Sequence, residues 1–334
     1  MTIVLELKEK LRSFYSKFDV FIHPLGKFIL AICTFMIINQ NIGYMAKLSS
    51  TTVTLALSLL CAILPVNAMI VLAGAVIVLH LYALSLEVAV ICLILFLIMF
   101  CVYFRFAPKD GFYVVLTPVC FHLHIGMVMP MAAGLLSKAY TAVSIVCGTI
   151  LYYFLEGVKA NASALGDSSE DATLTSKFTA TVNQLLGNKE MYLMIFAFTL
   201  TTLVVMLLRN LSVDYAWTIA IAIGSLMNFI VIFAGNLLLG VSGKTSDLII
   251  GIVIAAVISF LLEFLFFHVD YTRTERVQFE DDEYYYYVKA VPKMYVAEKE
   301  KQIKKFNTKE LQKRSSERIS REQFYEDMDI EDEM

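Results

Sequence analysis

Between residues 28 and 267 the chain returns repeatedly to apolar runs near the length that spans a bilayer, and little else can be built from such runs. In hydrocarbon every backbone N–H and C=O must be bonded internally, so the runs have to be helices or strands of a closed barrel. A barrel would show alternating segments of about ten residues, and the chain has no such series. Hydrophobic residues make up 58% of the 334, charged residues 17%, and mean hydropathy is +0.70. The expected fold class is therefore an all-α polytopic membrane protein of about eight transmembrane helices, with a juxtamembrane β-hairpin and a charged helical or disordered C-terminal tail.

The expected crossings are 28–46, 51–83, 86–104, 112–129, 139–156, 190–208, 216–240 and 247–267. They define a first bundle within 23–156, an extracytoplasmic polar loop over 157–189 and a second bundle within 190–268. Residues 51–83 are long for one crossing and short for two, with Pro65 near the middle; the reading adopted is one broken or tilted crossing.

Lys and Arg near helix ends set orientation. Residues 1–22 predict an amphipathic interfacial helix, with Val4, Leu7, Leu11, Phe14 and Phe18 on one face; it either lies in the headgroup plane or packs on the protein's own loops. Its cations, with Lys138, Arg209 and Arg273, place both termini in the cytoplasm of a plasma-membrane protein. That arrangement needs an even number of crossings, and it strands Arg105 and Lys109 on the other side.

Of the 27 Lys and Arg, 13 lie after Asp270, and the last nine residues hold six acids. Interleaving of Lys with Glu there reads as a solvated helix over 297–323 within a charged cytosolic tail (297–334); nucleic acid is not an expected partner. Cys33, Cys61, Cys92, Cys101, Cys120 and Cys147 all sit in apolar runs and are read as packing residues. No metal, cofactor or enzymatic activity is expected: Gly240-Val-Ser-Gly-Lys244-Thr245 lacks the leading glycine of a phosphate loop, and His122 and His124 point to different sides of a helix.

Ionisable and amide groups inside a bilayer are costly, so each is a functional candidate. Asn228 and Asn236 are eight apart on one crossing, on one side of it, and with Glu263 they are the polar-path candidates. Asn39-Gln40-Asn41 is read as contacting headgroups or a neighbouring helix, and His80 and Glu87 as surface residues flanking a loop.

Residues 269–296 carry the most specific local signal. Arg276–Glu280 and Tyr284–Val291 are rich in strand formers around a turn-prone Asp281-Asp282, which predicts a hairpin. Its edges invite a cytosolic protein partner or a second copy, with Phe279, Tyr284, Tyr285, Tyr286 and Tyr287 as docking candidates; the alternative is an aromatic belt at the headgroups.

The segments Leu211-Ser-Val-Asp-Tyr-Ala-Trp217 and Val277-Gln-Phe-Glu-Asp-Asp-Glu-Tyr-Tyr-Tyr-Tyr-Val-Lys-Ala-Val-Pro-Lys293 resemble those of uncharacterised multi-pass membrane proteins of Gram-positive anaerobic bacteria, often labelled permeases. That resemblance implies a permease-like membrane subunit of a transport system without its own ATPase site. The competing expectation is a non-transporting scaffold that recruits cytosolic partners through the tail. His23-Pro-Leu-Gly-Lys27 is also similar to the start of energy-coupling subunits of vitamin transporters, whose paired Ala-Arg-Gly motifs this chain lacks.

Overall fold

Proline and glycine decide where the apolar runs break, and two of the breaks redirect the chain. A computed structural model describes residues 2–165, 174–240, 245–266 and 275–290. Residues Leu7–Met294 form one unit; Met1–Glu6 with Tyr295–Met334 form another, of which only the helical backbone of residues 2–6 is described. The expected tail helix therefore lies outside the described residues.

Helix α1 runs Thr2–Ile42, its helical dihedrals interrupted at Phe18. The expected amphipathic segment and first crossing are thus joined by a kink, and Pro24 is carried inside the helix. Helix α2 (Thr51–Ile63) follows a short loop and is N-capped by Ser50, whose side chain accepts from the Val53 N–H. Pro65 then ends it. The ring forces the preceding Leu64 into extended backbone (φ −72°, ψ 159°), and Pro65 starts α3 (Val66–Leu84).

The contacts show that α2 and α3 fold back on each other. Asn39 of α1 reaches Thr54 at the start of α2 (2.9 Å) and His80 near the end of α3 (3.0 Å), while Lys27 donates to the Leu64 carbonyl at the break (3.2 Å). One straight helix would separate residues 54 and 80 by about 39 Å at 1.5 Å per residue. The stretch 51–83 is therefore two antiparallel helices, not one crossing.

Ser85, in extended backbone, separates α3 from α4 (Leu86–Phe106). Helix α4 returns beside α3, so that the Tyr103 hydroxyl donates to Asn67 Oδ1 (2.7 Å). The expected crossing 112–129 is also replaced. Helix α5 (Gly111–His122) stops, residues 123–127 turn, and α6 (Val128–Leu136) comes back to where α5 began, with Tyr113 Oη 2.7 Å from Ser137 Oγ. Helix α7 (Thr141–Ala160) then runs beside α5, with the Thr141 hydroxyl on Asp110 at its start.

The stretch read as a polar loop contains a short α8 (Ala162–Leu165) and α9 (Leu174–Leu186). Thr181 of α9 is buried, and Val182 and Leu185 pack on the core of the first helices, so the segment adds a helical layer. Helices α10 (Lys189–Arg209), α11 (Ala216–Leu239) and α12 (Thr245–Phe266) complete the bundle. Gly240 closes α11 in the left-handed region (φ 63°), where a side chain would be strained.

Eight of these helices run between two ends of the bundle, while α5 leaves the near end and α6 returns to it. At the near end Lys8 Nζ donates to the Phe264 carbonyl (2.6 Å), Thr218 to Glu263 (2.7 Å), and Arg209 to the Leu135 and Ser137 carbonyls. At the far end Lys159 donates to Asn41 Oδ1 (2.8 Å) and the Tyr153 hydroxyl to Glu190 (3.3 Å). Two missed reversals leave the parity unchanged, so the start of α1 and the end of α12 share the near end. They also bring Arg105 and Lys109 to that end, because α4 finishes there beside Asn67 and Asp110.

Among the described residues seven helices are long and apolar enough to cross a membrane: α3, α4, α7, α10, α11, α12 and Ser13–Ile42 of α1. Their outward residues, among them Leu93, Leu97, Leu237, Ile250, Val253 and Val257, are exposed and apolar, as a lipid-facing surface requires. Helices α2, α5 and α6, of 13, 12 and 9 residues, are shorter; at 1.5 Å per residue they measure about 20, 18 and 14 Å against a hydrocarbon core of about 30 Å.

After α12, β1 (Glu275–Glu280) and β2 (Tyr285–Ala290) form the expected antiparallel hairpin. Pairing of Val277 with Val288 and Phe279 with Tyr286 puts these four side chains on one face, and the Phe279 and Tyr286 rings stack at 4.9 Å. Gln278, Glu280, Tyr285 and Tyr287 take the other face. Asp281 fixes the turn by accepting the backbone N–H groups of Glu283 and Tyr284 and the Tyr286 hydroxyl (2.8 Å). Those bonds hold its carboxyl below the ordinary carboxylate range and push the Tyr286 hydroxyl up.

Candidate functional site

The turn between α5 and α6 is the only irregular backbone that the bundle draws deep among α10–α12 among the described residues. Met127 lies beside Gly251, six residues into α12, and beside Asn228, whose Nδ2 is 3.9 Å from its Sδ. At 1.5 Å per residue the turn is thus about 9 Å below the start of α12 and about 17 Å below the end of α11. Non-helical backbone at such depth is tolerated where it lines a cavity. Here it does.

A cleft of about 600 Å³ opens above the turn toward the far end. Its floor is the turn itself, Leu123 to Met127, with His124 in the left-handed region (φ 59°). Its walls come from the ends of α7 (Tyr152, Tyr153, Glu156), α10 (Glu190, Met194), α11 (Ile232, Asn236) and α12 (Asp247, Gly251, Ile254). Among the described residues three carboxylates, Glu156, Glu190 and Asp247, line it, and no Lys or Arg does.

The aromatic wall is built by packing. Phe121, at the end of α5, stacks on Tyr152 (4.7 Å) and on Phe198 of α10 (5.4 Å) and meets Tyr153 edge-on. Phe121, Tyr153 and Phe198 are buried in the core shared by α5, α7 and α10, which leaves Tyr152 half-buried at the cleft. Tyr152 hydrogen-bonds Glu156, and Glu190 and His124 are close enough to Glu156 to act on its charge.

The base of the α5–α6 pair is held at the near end. Arg209 binds the last carbonyls of α6 and lies over the Trp217 ring (6.0 Å), a favourable place for a cation at a helix C-terminus. With the Tyr113–Ser137 and Asp110–Thr141 contacts, the pair is anchored at the end away from the cleft.

Of the residues singled out from sequence, Asn236 lines the cleft and Asn228 lies beneath it. Asn228 is fully buried and its Oδ1 has no hydrogen-bond partner. Glu263 is not brought to them; it meets Thr218 at the near end. Ser225 and Ser259, between these levels on α11 and α12, extend the polar positions, and the Ser259 hydroxyl is buried without a partner. The hairpin candidates Phe279, Tyr284, Tyr285, Tyr286 and Tyr287 are all exposed. His268, which the sequence places near Glu263, lies outside the described residues.

One histidine departs from expectation. His80 is fully buried, not a surface residue. The Met45 N–H donates to its Nδ1 (3.2 Å), so its Nε2 carries the proton and donates to Asn39 Oδ1; the Asn39 amide in turn donates to Thr54. This chain ties α1, α2 and α3 together and gives Asn39 the neighbouring-helix contact. His122 Nδ1 is 3.4 Å from Asn41 Nδ2, whereas His124 belongs to the cleft.

Sequence reasoning missed the acidic rim because its members are scattered along the chain. Glu156 and Glu190 fell at the edges of an assumed loop, and Asp247 at the start of a crossing. Comparison of the chain with models of protein families, with curated proteins and with solved structures gives no match in any of the three. The site has to speak through its geometry.

Proposed function

We propose that the protein is a permease-like plasma-membrane subunit of a transport system, and that its solute enters through the far-end cleft. The observation that carries this reading is the anchored α5–α6 pair, whose non-helical turn floors a cleft directly above the buried Asn228, whose Oδ1 has no partner. Helices that break inside the bundle are a recurring way to build a transport site near the middle of a bilayer. Below the turn, Ser225, Ser259 and the Thr218–Glu263 pair supply polar groups toward the near end.

Orientation follows from charge. Lys8, Lys10, Lys17, Arg105, Lys109, Lys138 and Arg209 belong to the near end, against Lys47, Lys159 and Lys189 at the far end. The near end, with both termini, is cytoplasmic on this reading, and the cleft opens outside. Energy comes from another chain or an ion gradient.

The test is uptake of a panel of cationic, anionic and neutral solutes by cells with and without the protein. At least one solute should differ, and Asn228→Leu should abolish that difference. Equal uptake of every solute overturns the proposal.

A second reading rests on the hairpin. Its exposed apolar face, Val277, Phe279, Tyr286 and Val288, suits a scaffold that docks a cytosolic protein or a second copy. Cross-linking from Tyr284 to Tyr287 that captures neither removes it.

A further inference from the structure

We infer that the far-end cleft binds an organic cation with a bulky apolar body, a substrate class for the transport reading on which this inference rests. The sign of the charge comes first. Glu156, Glu190 and Asp247 line the cleft, His124 is the one other ionisable side chain besides tyrosine that lines it among the described residues, and Lys159, which follows Glu156 on α7, is turned onto Asn41. Low-dielectric walls focus the field of such a rim and concentrate cations from solution.

Size and lining set the rest of the chemistry. At about 600 Å³ the cleft is far larger than a bare ion and falls within the range of small-molecule sites. Among the described residues no three His, Cys, Asp or Glu side chains come together as a metal-binding group, so the carboxylates offer diffuse attraction and not a ligand shell. Between the acids the surface is apolar and deformable: Met127, Met194, Ile232 and Ile254. Tyr152, backed by Phe121, presents an aromatic wall of the kind that attracts desolvated cations.

A second observation, independent of the acids, points to an occupant. Asn228 lies against Met127 from below, fully buried, with an unsatisfied Oδ1. A buried amide oxygen without a donor is costly. A ligand donor that reaches past the flexible Met127 side chain, such as the N–H of a protonated amine, would satisfy it.

The experiment compares two probes of one shape and opposite charge, tetraphenylphosphonium and tetraphenylborate, by equilibrium dialysis against the purified full-length protein in lipid nanodiscs. Empty nanodiscs correct for partition into lipid. The phosphonium should show saturable binding that the borate lacks. Each of Glu156→Gln, Glu190→Gln and Asp247→Asn should weaken it by about two- to fivefold, as for partly exposed charges, and the triple variant by on the order of tenfold or more. Asn236→Asp adds a fourth carboxylate and should tighten binding, a gain that loss of folding cannot imitate.

Equal binding of both probes, or phosphonium binding indifferent to both the triple variant and Asn236→Asp, overturns the inference. Because dialysis needs no flux, the two proposals fail separately. Phosphonium bound but no solute moved removes transport alone; a transported solute with no phosphonium bound removes the cation site alone.

Discussion

Gly148 of α7 packs directly against α5, and replacing it with alanine tests the packing of the helix that leads into the cleft floor. A Cβ at this position would lie 2.7 Å from Thr117 Cβ, 2.9 Å from the Val114 carbonyl oxygen and 3.2 Å from Pro118 Cδ. Carbon atoms rest comfortably at about 3.5–4.0 Å, so the overlap approaches an ångström. It cannot be relieved by a rotamer change. Thr117 is itself tied to the Tyr113 carbonyl (2.6 Å), and Pro118 has removed the N–H that would otherwise bond to Val114.

Overpacking of this kind costs about 1–3 kcal/mol, while the helix preference of alanine over glycine returns up to about 1 kcal/mol. With neighbours that cannot move, the upper part of the overpacking range applies, about 2–3 kcal/mol, and the expected net loss is about 1–2 kcal/mol. Thermal unfolding in detergent, followed with a thiol-reactive dye, reads it directly: Cys61, Cys92, Cys120 and Cys147 are buried, whereas Cys101 is exposed and reacts from the outset. The matched control is Gly26→Ala in α1, where nothing lies within 4 Å of the new atom and only the helix preference remains. Gly148→Ala should unfold at lower temperature than wild type and Gly26→Ala no lower. A Gly148→Ala protein as stable as wild type refutes the close α5–α7 contact.

In a cysteine-free background, Lys109→Cys and Lys138→Cys should be labelled by an impermeant thiol reagent from the same side of the membrane and Lys47→Cys from the other; opposite sides for 109 and 138 would restore a single crossing at 112–129. His80→Leu strands the half-buried Asn39 Oδ1 and Met45 N–H, at up to about 1–3 kcal/mol for each group left unpaired; unfolding at the wild-type temperature would contradict this. The hairpin turn has a definite pH window. The depressed carboxyl of Asp281 contributes above its unfolded value of about 3.9 and loses that contribution as pH falls through the lower folded value, while the raised Tyr286 hydroxyl contributes below about pH 10 and loses it as pH rises through the higher folded value. A ¹³C-carboxyl titration of Asp281 should accordingly show a midpoint below 3.9, and a midpoint above it would refute the turn bonds.

The long helices and the hairpin were legible because each is a local signal: apolar length, and strand formers around Asp281-Asp282. Asn228 and Asn236 were legible as amides out of place in lipid, with one helix relating them. The short helices were not. Nothing at Leu123–Met127 resembles a strong turn signal, and the prolines nearby, Pro118 and Pro130, lie inside α5 and α6, where neighbouring helices tolerate them. Yet a trace of the missing reversal was present. Arg105 and Lys109 stood on the wrong side of every topology that kept both termini together, and only a further turn between them and Lys138 removes that conflict. The cleft needed tertiary structure, since α7, α10 and α12 each supply one of its acids.

The bond from Lys8 to the Phe264 carbonyl has a consequence for how the protein is made. Its partners are separated by 256 residues, and at about 5–20 residues per second a ribosome needs roughly 13–50 s to supply the second after the first. Throughout that interval the amphipathic start of α1 is without its final partner, at the mouth of a bundle whose last helix has yet to be synthesised. The membrane surface or a chaperone must shelter it. A stretch made 256 residues before its partner is thus among the last to find its place.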